Sequence, residues 1–245
     1  PEFLLTHPVT ESRIADTRNR AEQARPGGTE DSLRYQLIRA RVQLNYEETP
    51  GLAAKRFRQQ LDENPKNDVA RYGLAIAYIK GSQFNEARET LKPLLEKSPN
   101  DITYNLAQIE LDMDSNRLSE AQQRIDRMRT LYPGNYPLNQ ARVDLLLKQN
   151  NPKEADKALE ALLKSRPDDP DVWYSVAETR GLSGNIIGLH QARAEYFALV
   201  GDYRQAIQQL DFAQKLTNNF QLSARLDARK RELMDQERAL KEMMN

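Results

Sequence analysis

The sequence contains no cysteine. Disulfides and thiolate metal sites are thereby excluded, while the compartment stays open, because cytosol and periplasm both tolerate such chains. An excess of one charge is also missing. Lys+Arg and Asp+Glu each number 36, for a formal net charge of zero. Without a basic excess to neutralise phosphates, nucleic-acid binding is disfavoured. No run approaches the roughly 20 apolar residues of a membrane helix. Aromatics are 7%, hydrophobic residues 39%, and mean hydropathy is −0.80. That is little apolar material for one spherical core, but it suits an elongated solenoid whose units touch only their neighbours. An initiator Met and a signal peptide are lacking, so the chain, starting at Pro1, reads as a piece of a longer protein. No clustered nucleophile, metal set or phosphate loop stands out. Asp168-Asp169 and Asp112/Asp114 read as loop and solvated-helix charges rather than paired catalytic acids.

What the sequence does contain is a period. Pro65, Pro99, Pro133 and Pro167 recur at one constant interval. Twelve residues before each stands an alanine, at 53, 87, 121 and 155, followed four residues later by Phe57, Leu91, Ile125 and Leu159. A unit of that length, about 34 residues, holds two helices and two turns. The alanine suits the close crossing of the second helix over the first, and the large residue lies one turn on along the same face. Proline ends the unit. Gly81 and Asn150 fall in the turn between the paired helices. The clearest unit, Asp68–Asp101, carries Leu74, Ala75 and Tyr78 in its first helix and Phe84, Ala87 and Leu91 in its second. It resembles the tetratricopeptide-repeat (TPR) pattern. In the next unit Ile109 takes the usual small position, so that first helix is expected to pack further out.

The ladder then slips. A unit from Pro170 accommodates Trp173 and Ala177, but its expected alanine position holds Leu189. Ala194, Phe197, Tyr203, Ala206, Leu210 and Ala213 fit a unit that starts half a repeat late, at Ile187. Half a repeat is one helix, so the helix around residues 186–200 is expected to close one hairpin and open the next. Residues 219–245, with Leu222, Leu226, Leu233 and Leu240 among dense charges, read as an amphipathic terminal cap.

The first helices of stacked TPR units line a concave face. The positions expected to point there are Tyr35 and Ile38, Tyr72 and Ile76, Leu106 and Glu110, Asp144, and Tyr174 and Glu178. The first half of such a groove is aromatic and aliphatic, and the second more acidic. The Lys and Asn set with which co-chaperone TPR domains clamp a terminal carboxylate is missing. Exposed aromatics in a concave groove suit an extended or helical peptide.

Residues 1–25 do not fit the repeat, and the Pro26-Gly27-Gly28 stretch begins a linker over 26–33. Thr10 is a candidate N-cap for a helix from Glu11 to about Gln23. The run Thr6-His7-Pro8 with Ser12, Arg13 and Ile14 resembles the segment that closes the catalytic domain of HtpX-like zinc metalloproteases. The resemblance implies four things: a C-terminal remnant of that domain over 1–25, TPR units over 34–218, a cap over 219–245, and a periplasmic setting. It implies zinc in the intact protein, with docking onto the outer-membrane β-barrel assembly machinery and its unfolded or stalled barrel substrates. The family's zinc site uses HExxH plus a downstream Glu. The two histidines here, His7 and His190, lie in no such motif, so this piece is not expected to be an enzyme or to hold a cofactor. His7 is a zinc ligand or gate toward the missing domain, or else a loop histidine that caps and packs; both readings stay open. His190 reads as a helix-surface or interface residue. The expected fold is an all-α, right-handed superhelical TPR solenoid of about five units, monomeric, that binds proteins. The alternative is a free-standing TPR adaptor that binds a peptide or helix in another complex.

Overall fold

The computed structural model describes residues 11–23 and 31–244. They form thirteen α-helices and no strand among the described residues. A first helix, α1 (Glu11–Gln23), matches the expected span and is exposed from Arg13 to Gln23. His7, Thr10 and most of the expected linker lie outside the described residues. Four helical hairpins follow: α2 (Leu33–Leu44) with α3 (Pro50–Glu63), α4 (Asp68–Lys80) with α5 (Phe84–Lys97), α6 (Ile102–Asp114) with α7 (Leu118–Leu131), and α8 (Tyr136–Lys148) with α9 (Pro152–Ser165). Then come α10 (Pro170–Leu182), α11 (Ile186–Leu199), α12 (Tyr203–Lys215) and α13 (Phe220–Met244).

The sequence period reappears as local structure. Ala53, Ala87, Ala121 and Ala155 are each 0% exposed, at the crossings within the hairpins. From α4 to α10 each first helix is capped by a residue two past the proline, while α2 is capped by Ser32. Asn67, Asp101 and Asn135 accept from the backbone N–H three residues on, at 3.0–3.1 Å. Asp169 accepts from Asp171 at 3.1 Å. These bonds satisfy donors that the first helical turn leaves free. Six residues past each proline, a side chain reaches back to the proline carbonyl: Arg71 at 2.7 Å, Asn105 at 3.0 Å, Asn139 at 3.3 Å and Trp173 at 2.7 Å. Three different side-chain chemistries thus perform one repeated function.

The turn between paired helices uses the left-handed region. Ser82, Asn116 and Asn150 have φ of 57°, 59° and 55°, and Gly184 has φ of 77°. The next residue's N–H bonds back to the carbonyl five positions earlier, as in Gln83 to Tyr78 at 2.8 Å and Asn151 to Leu146 at 2.9 Å. This Schellman arrangement satisfies the last carbonyls of α4, α6, α8 and α10, whereas α2 ends at Asn45 in a right-handed conformation. Gly81 falls in this turn as expected, ending α4 with φ of −84°, and Ser82 takes the left-handed place.

The slip is visible in the same marker. Gly201 has φ of 82° and lies half a repeat past Gly184, and Asp202 N–H bonds to Phe197 O at 2.8 Å. The helix between, α11, packs equally on α10 and α12. Ala192 joins the core of α8–α10, while Ala194, Ile187 and Phe197 join the core of α12 and α13. A helix apolar on opposite sides is what burial against two partners requires. The terminal helix α13 docks through Leu226 (3% exposed) and Leu233 (0%). Leu240, expected on the same stripe, is 37% exposed, because the 25-residue α13 runs past the end of the 13-residue α12. Ile109 is fully buried, and α6 sits less closely on its sequence neighbours than α4 does. Asp112, expected to be solvated, is 2% exposed. Its carboxylate accepts from Arg88 at 3.0 Å and from Gln108 at 2.9 Å.

Candidate functional site

First helices stack side by side, α2 on α4, α4 on α6 and α6 on α8, and this stacking thins at α10. Their exposed faces enclose a cavity of about 550 Å³. Ile38, Leu106, Met113 and Tyr136 give it an apolar lining. Arg34 and Arg41 enter from α2, Glu110 from α6, and Gln140 and Asp144 from α8.

Arg41 ties the first half of the cavity together. Its Nε donates to the Tyr72 hydroxyl at 3.1 Å, and its guanidinium pairs with Glu110 at 2.8 Å, so one side chain on α2 spans α4 to reach α6. Burial opposes the Arg41 cation, but Tyr72 and Glu110 outweigh it and hold the cation more firmly than in water. Burial raises the Tyr72 phenol, and Arg41 offsets part of that rise. The Tyr72 and Tyr104 rings lie 6.0 Å apart. Burial pushes the Tyr104 phenol up to about 12, and its hydroxyl is shut in without a partner among the described residues. At the other end, Gln140 Nε2 donates to Asp144 at 3.0 Å. The Gln140 carbonyl oxygen is buried and unpartnered among the described residues. Asp144 is exposed as a residue, but withdrawal of its carboxyl from water raises it above the usual range, with Gln140 and Lys148 in partial opposition.

A row of parallel helices whose exposed faces form one apolar trough, with caps and turns recurring once per unit, identifies the architecture. The tetratricopeptide-repeat family model matches residues 46–109 and 112–178, more than half of the chain. The chain belongs to the tetratricopeptide-repeat family.

Its TPR fold is shared with solved structures of low identity. A tetratricopeptide repeat protein from Parabacteroides merdae superposes with a TM-score of 0.52 at 14% identity, covering 91% of this chain and 90% of that one. Pseudomonas aeruginosa pilF gives a TM-score of 0.51 at 15% identity, covering 80% and 96%. Curated relatives are closer in sequence. The beta-barrel assembly-enhancing protease of Escherichia coli K12 is 34% identical over 99% of this chain and 49% of its own length. That of Yersinia pestis is 30% identical over 99% and 50%. The chain therefore spans about half the length of the curated relatives it matches.

Of the residues expected in the TPR groove, Ile38, Tyr72, Leu106, Glu110 and Asp144 line the cavity. Ile76 does not. It is 0% exposed within the core joining α2 to α6, because α4 is flanked on both sides by other first helices. Tyr72 reaches the cavity but is 1% exposed, locked under Arg41, so it is floor rather than free contact surface. Tyr35 lies outside the cavity and is 51% exposed. Tyr174 and Glu178 sit on α10, beyond the cavity, where Tyr174 meets the edge of Tyr196 at 5.6 Å and Glu178 faces Arg193 at 3.8 Å. Sequence reasoning missed Arg34 and Arg41, which fall four residues before and three after Ile38 on the same helix face. His190 lies between α11 and α12, with Nδ1 2.8 Å from Gln209 Oε1, as an interface residue. Among the described residues no group of three or more His, Asp or Glu could hold a metal, and no helix is long and apolar enough to cross a membrane.

Proposed function

We propose that the groove along α2, α4, α6 and α8 receives a polypeptide segment of a partner protein, and that the chain is the recognition part of a longer outer-membrane quality-control protease. The cavity carries this reading. It is apolar enough to reward burial, and it has Arg34 and the Arg41–Glu110 pair toward one end, the Asp144 carboxylate at the other and an unpartnered Gln140 oxygen that a backbone N–H would satisfy. Similarity to beta-barrel assembly-enhancing proteases supports the rest. In the intact protein the segment would belong to the β-barrel assembly machinery or to a stalled barrel protein. Unpaired strands of such a substrate expose backbone and apolar side chains over a length that suits a long trough. The setting would be periplasmic, the zinc-bearing catalytic domain would precede Pro1, and His7 would face it.

A photoreactive residue at Ile38 or Leu106 of the intact protein tests this directly. Capture of barrel-assembly components or nascent barrel proteins at those positions, and not from Tyr174, is the expected result. Equal capture from all three positions would count against the groove. An upstream sequence without HExxH would remove the protease half of the reading and leave a TPR adaptor.

A further inference from the structure

A second cavity of about 580 Å³ lies on the other side of the first turn of α8, between α7, α8 and α9. Its lining includes Arg129, Arg142 and Arg166 and no Asp or Glu. That is unusual in a chain whose charges balance. Four other half-buried arginines are paired with acids: Arg41 with Glu110, Arg88 with Asp112, Arg180 with Asp156, and Arg229 with Glu195. Arg129 has one bond, Nε to Asn139 Oδ1 at 2.9 Å, and Arg142 has no hydrogen bond or ion pair among the described residues. The nearest acids do not fill the space. Asp126 acts on Arg129 from its own helix without lining the cavity, and Asp169 is held by Arg166 at 2.8 Å. Burial and the charge of Arg142 lower the proton affinity of Arg129, so a ligand anion would relieve both.

The cavity is also roomy and adjoins the groove across the start of α8. Ala158, Ala161 and Gly134 leave it open, and a Cβ at Gly134 would meet nothing within 4 Å. Asn135, Tyr136 and Pro137 line both cavities. The Arg166 guanidinium lies 4.3 Å from the Tyr136 ring centroid, fixing a flat wall at the junction.

We propose that this arginine cavity is a second recognition site, which binds an acidic side chain of the polypeptide segment occupying the groove. This rests on the groove reading. It adds a sequence preference: Asp or Glu where the segment turns over the start of α8. A guanidinium fork suits a carboxylate in geometry as well as charge.

The test uses the full chain and two acetylated, amidated decapeptides of alternating valine and glutamate or valine and glutamine, titrated by calorimetry. The glutamate peptide should bind about tenfold more tightly, and R129Q/R142Q should abolish that preference while leaving glutamine-peptide binding unchanged. R129K/R142K, with charge kept, should restore part of it. Unaltered helical content of the variants by circular dichroism separates loss of a site from loss of fold. Equal affinity for the two peptides, with binding still lost in Ile38→Asp, would overturn the arginine site and leave the groove standing. No binding of either peptide would overturn both. Saturation by inorganic phosphate alone, with the same arginine dependence and displacement of peptide, would reassign the cavity to small anions.

Discussion

Removing the Asn105 side chain should cost far more than removing its counterpart one repeat later. Asn105 is 0% exposed. It donates to Pro99 O at 3.0 Å and to Asp101 O at 2.7 Å, and its Oδ1 accepts from Arg124 and Arg127, both at 2.9 Å. In Asn105→Ala, Arg127 loses little, because it is exposed and keeps Asn100 and Pro99 as acceptors. Arg124 loses more. Its side chain is 28% exposed, and its remaining anion, Asp112, stands 3.9 Å away. One charge-assisted bond at about 1.5–3 kcal/mol and two neutral bonds at about 0.5–1.5 kcal/mol each place the loss at roughly 2.5–6 kcal/mol. Asn139→Ala breaks a 3.3 Å bond to Pro133 O and one charge-assisted bond from Arg129, both weakened by a half-buried setting, for about 1–2 kcal/mol. Urea unfolding followed by far-ultraviolet circular dichroism reads the difference. With a slope of about 3 kcal/mol per molar, the first variant's midpoint falls by about 1–2 M and the second's by about 0.5 M. Equal shifts, or a shift under about 0.3 M for Asn105→Ala, would show that burial of the amide does not set the energy.

Ala87→Leu should overfill the crossing of α4 and α5, where Ala87 is 0% exposed, and destabilise by about 1–3 kcal/mol in the same assay. Gly201→Ala should cost about 1–2 kcal/mol from the backbone alone, since φ is 82° and nothing lies within 4 Å of the added Cβ; a neutral result would remove the half-repeat turn from the account. Tyr104→Phe deletes a buried hydroxyl without a partner, so stability at neutral pH should hold or rise by up to about 1 kcal/mol. The same variant tests a titration. With the folded phenol at about 12 against about 10 unfolded, the native state holds the extra proton, so stability falls as pH rises through that window, and Tyr104→Phe should flatten the fall.

The hairpins were legible because their determinants repeat. Proline, alanine and the large residue after it recur at fixed offsets, and each recurrence confirms the others. The slip was legible for the same reason, and Gly201 marks it in the backbone. Side-chain direction in the groove was not. Offsets counted from each unit's start treat every first helix alike, yet α4 is covered on both flanks whereas α2 has a neighbouring first helix on one side only. Ile76 and Tyr72 are therefore interior, while their counterparts one repeat earlier on α2, Val42 and Ile38, are 47% and 51% exposed. Arg41 escaped notice because its role depends on Tyr72 and Glu110, separated from it by one and two repeats. Single-sequence periodicity carries no information about such pairs.

The two-sided burial of α11 restricts how such an array can change length. Upstream of Pro170, each whole repeat carries its own cap, crossing alanine and turn, so a duplication or deletion in that step joins like to like. Past that point, the same edit would leave Ala192 or Ala194 facing water or a mismatched neighbour. The C-terminal end therefore behaves as a fixed terminus to which whole units can be added only from the N-terminal side. Related chains with longer or shorter grooves are expected to differ ahead of α10 and to keep α10–α13 as one inseparable piece.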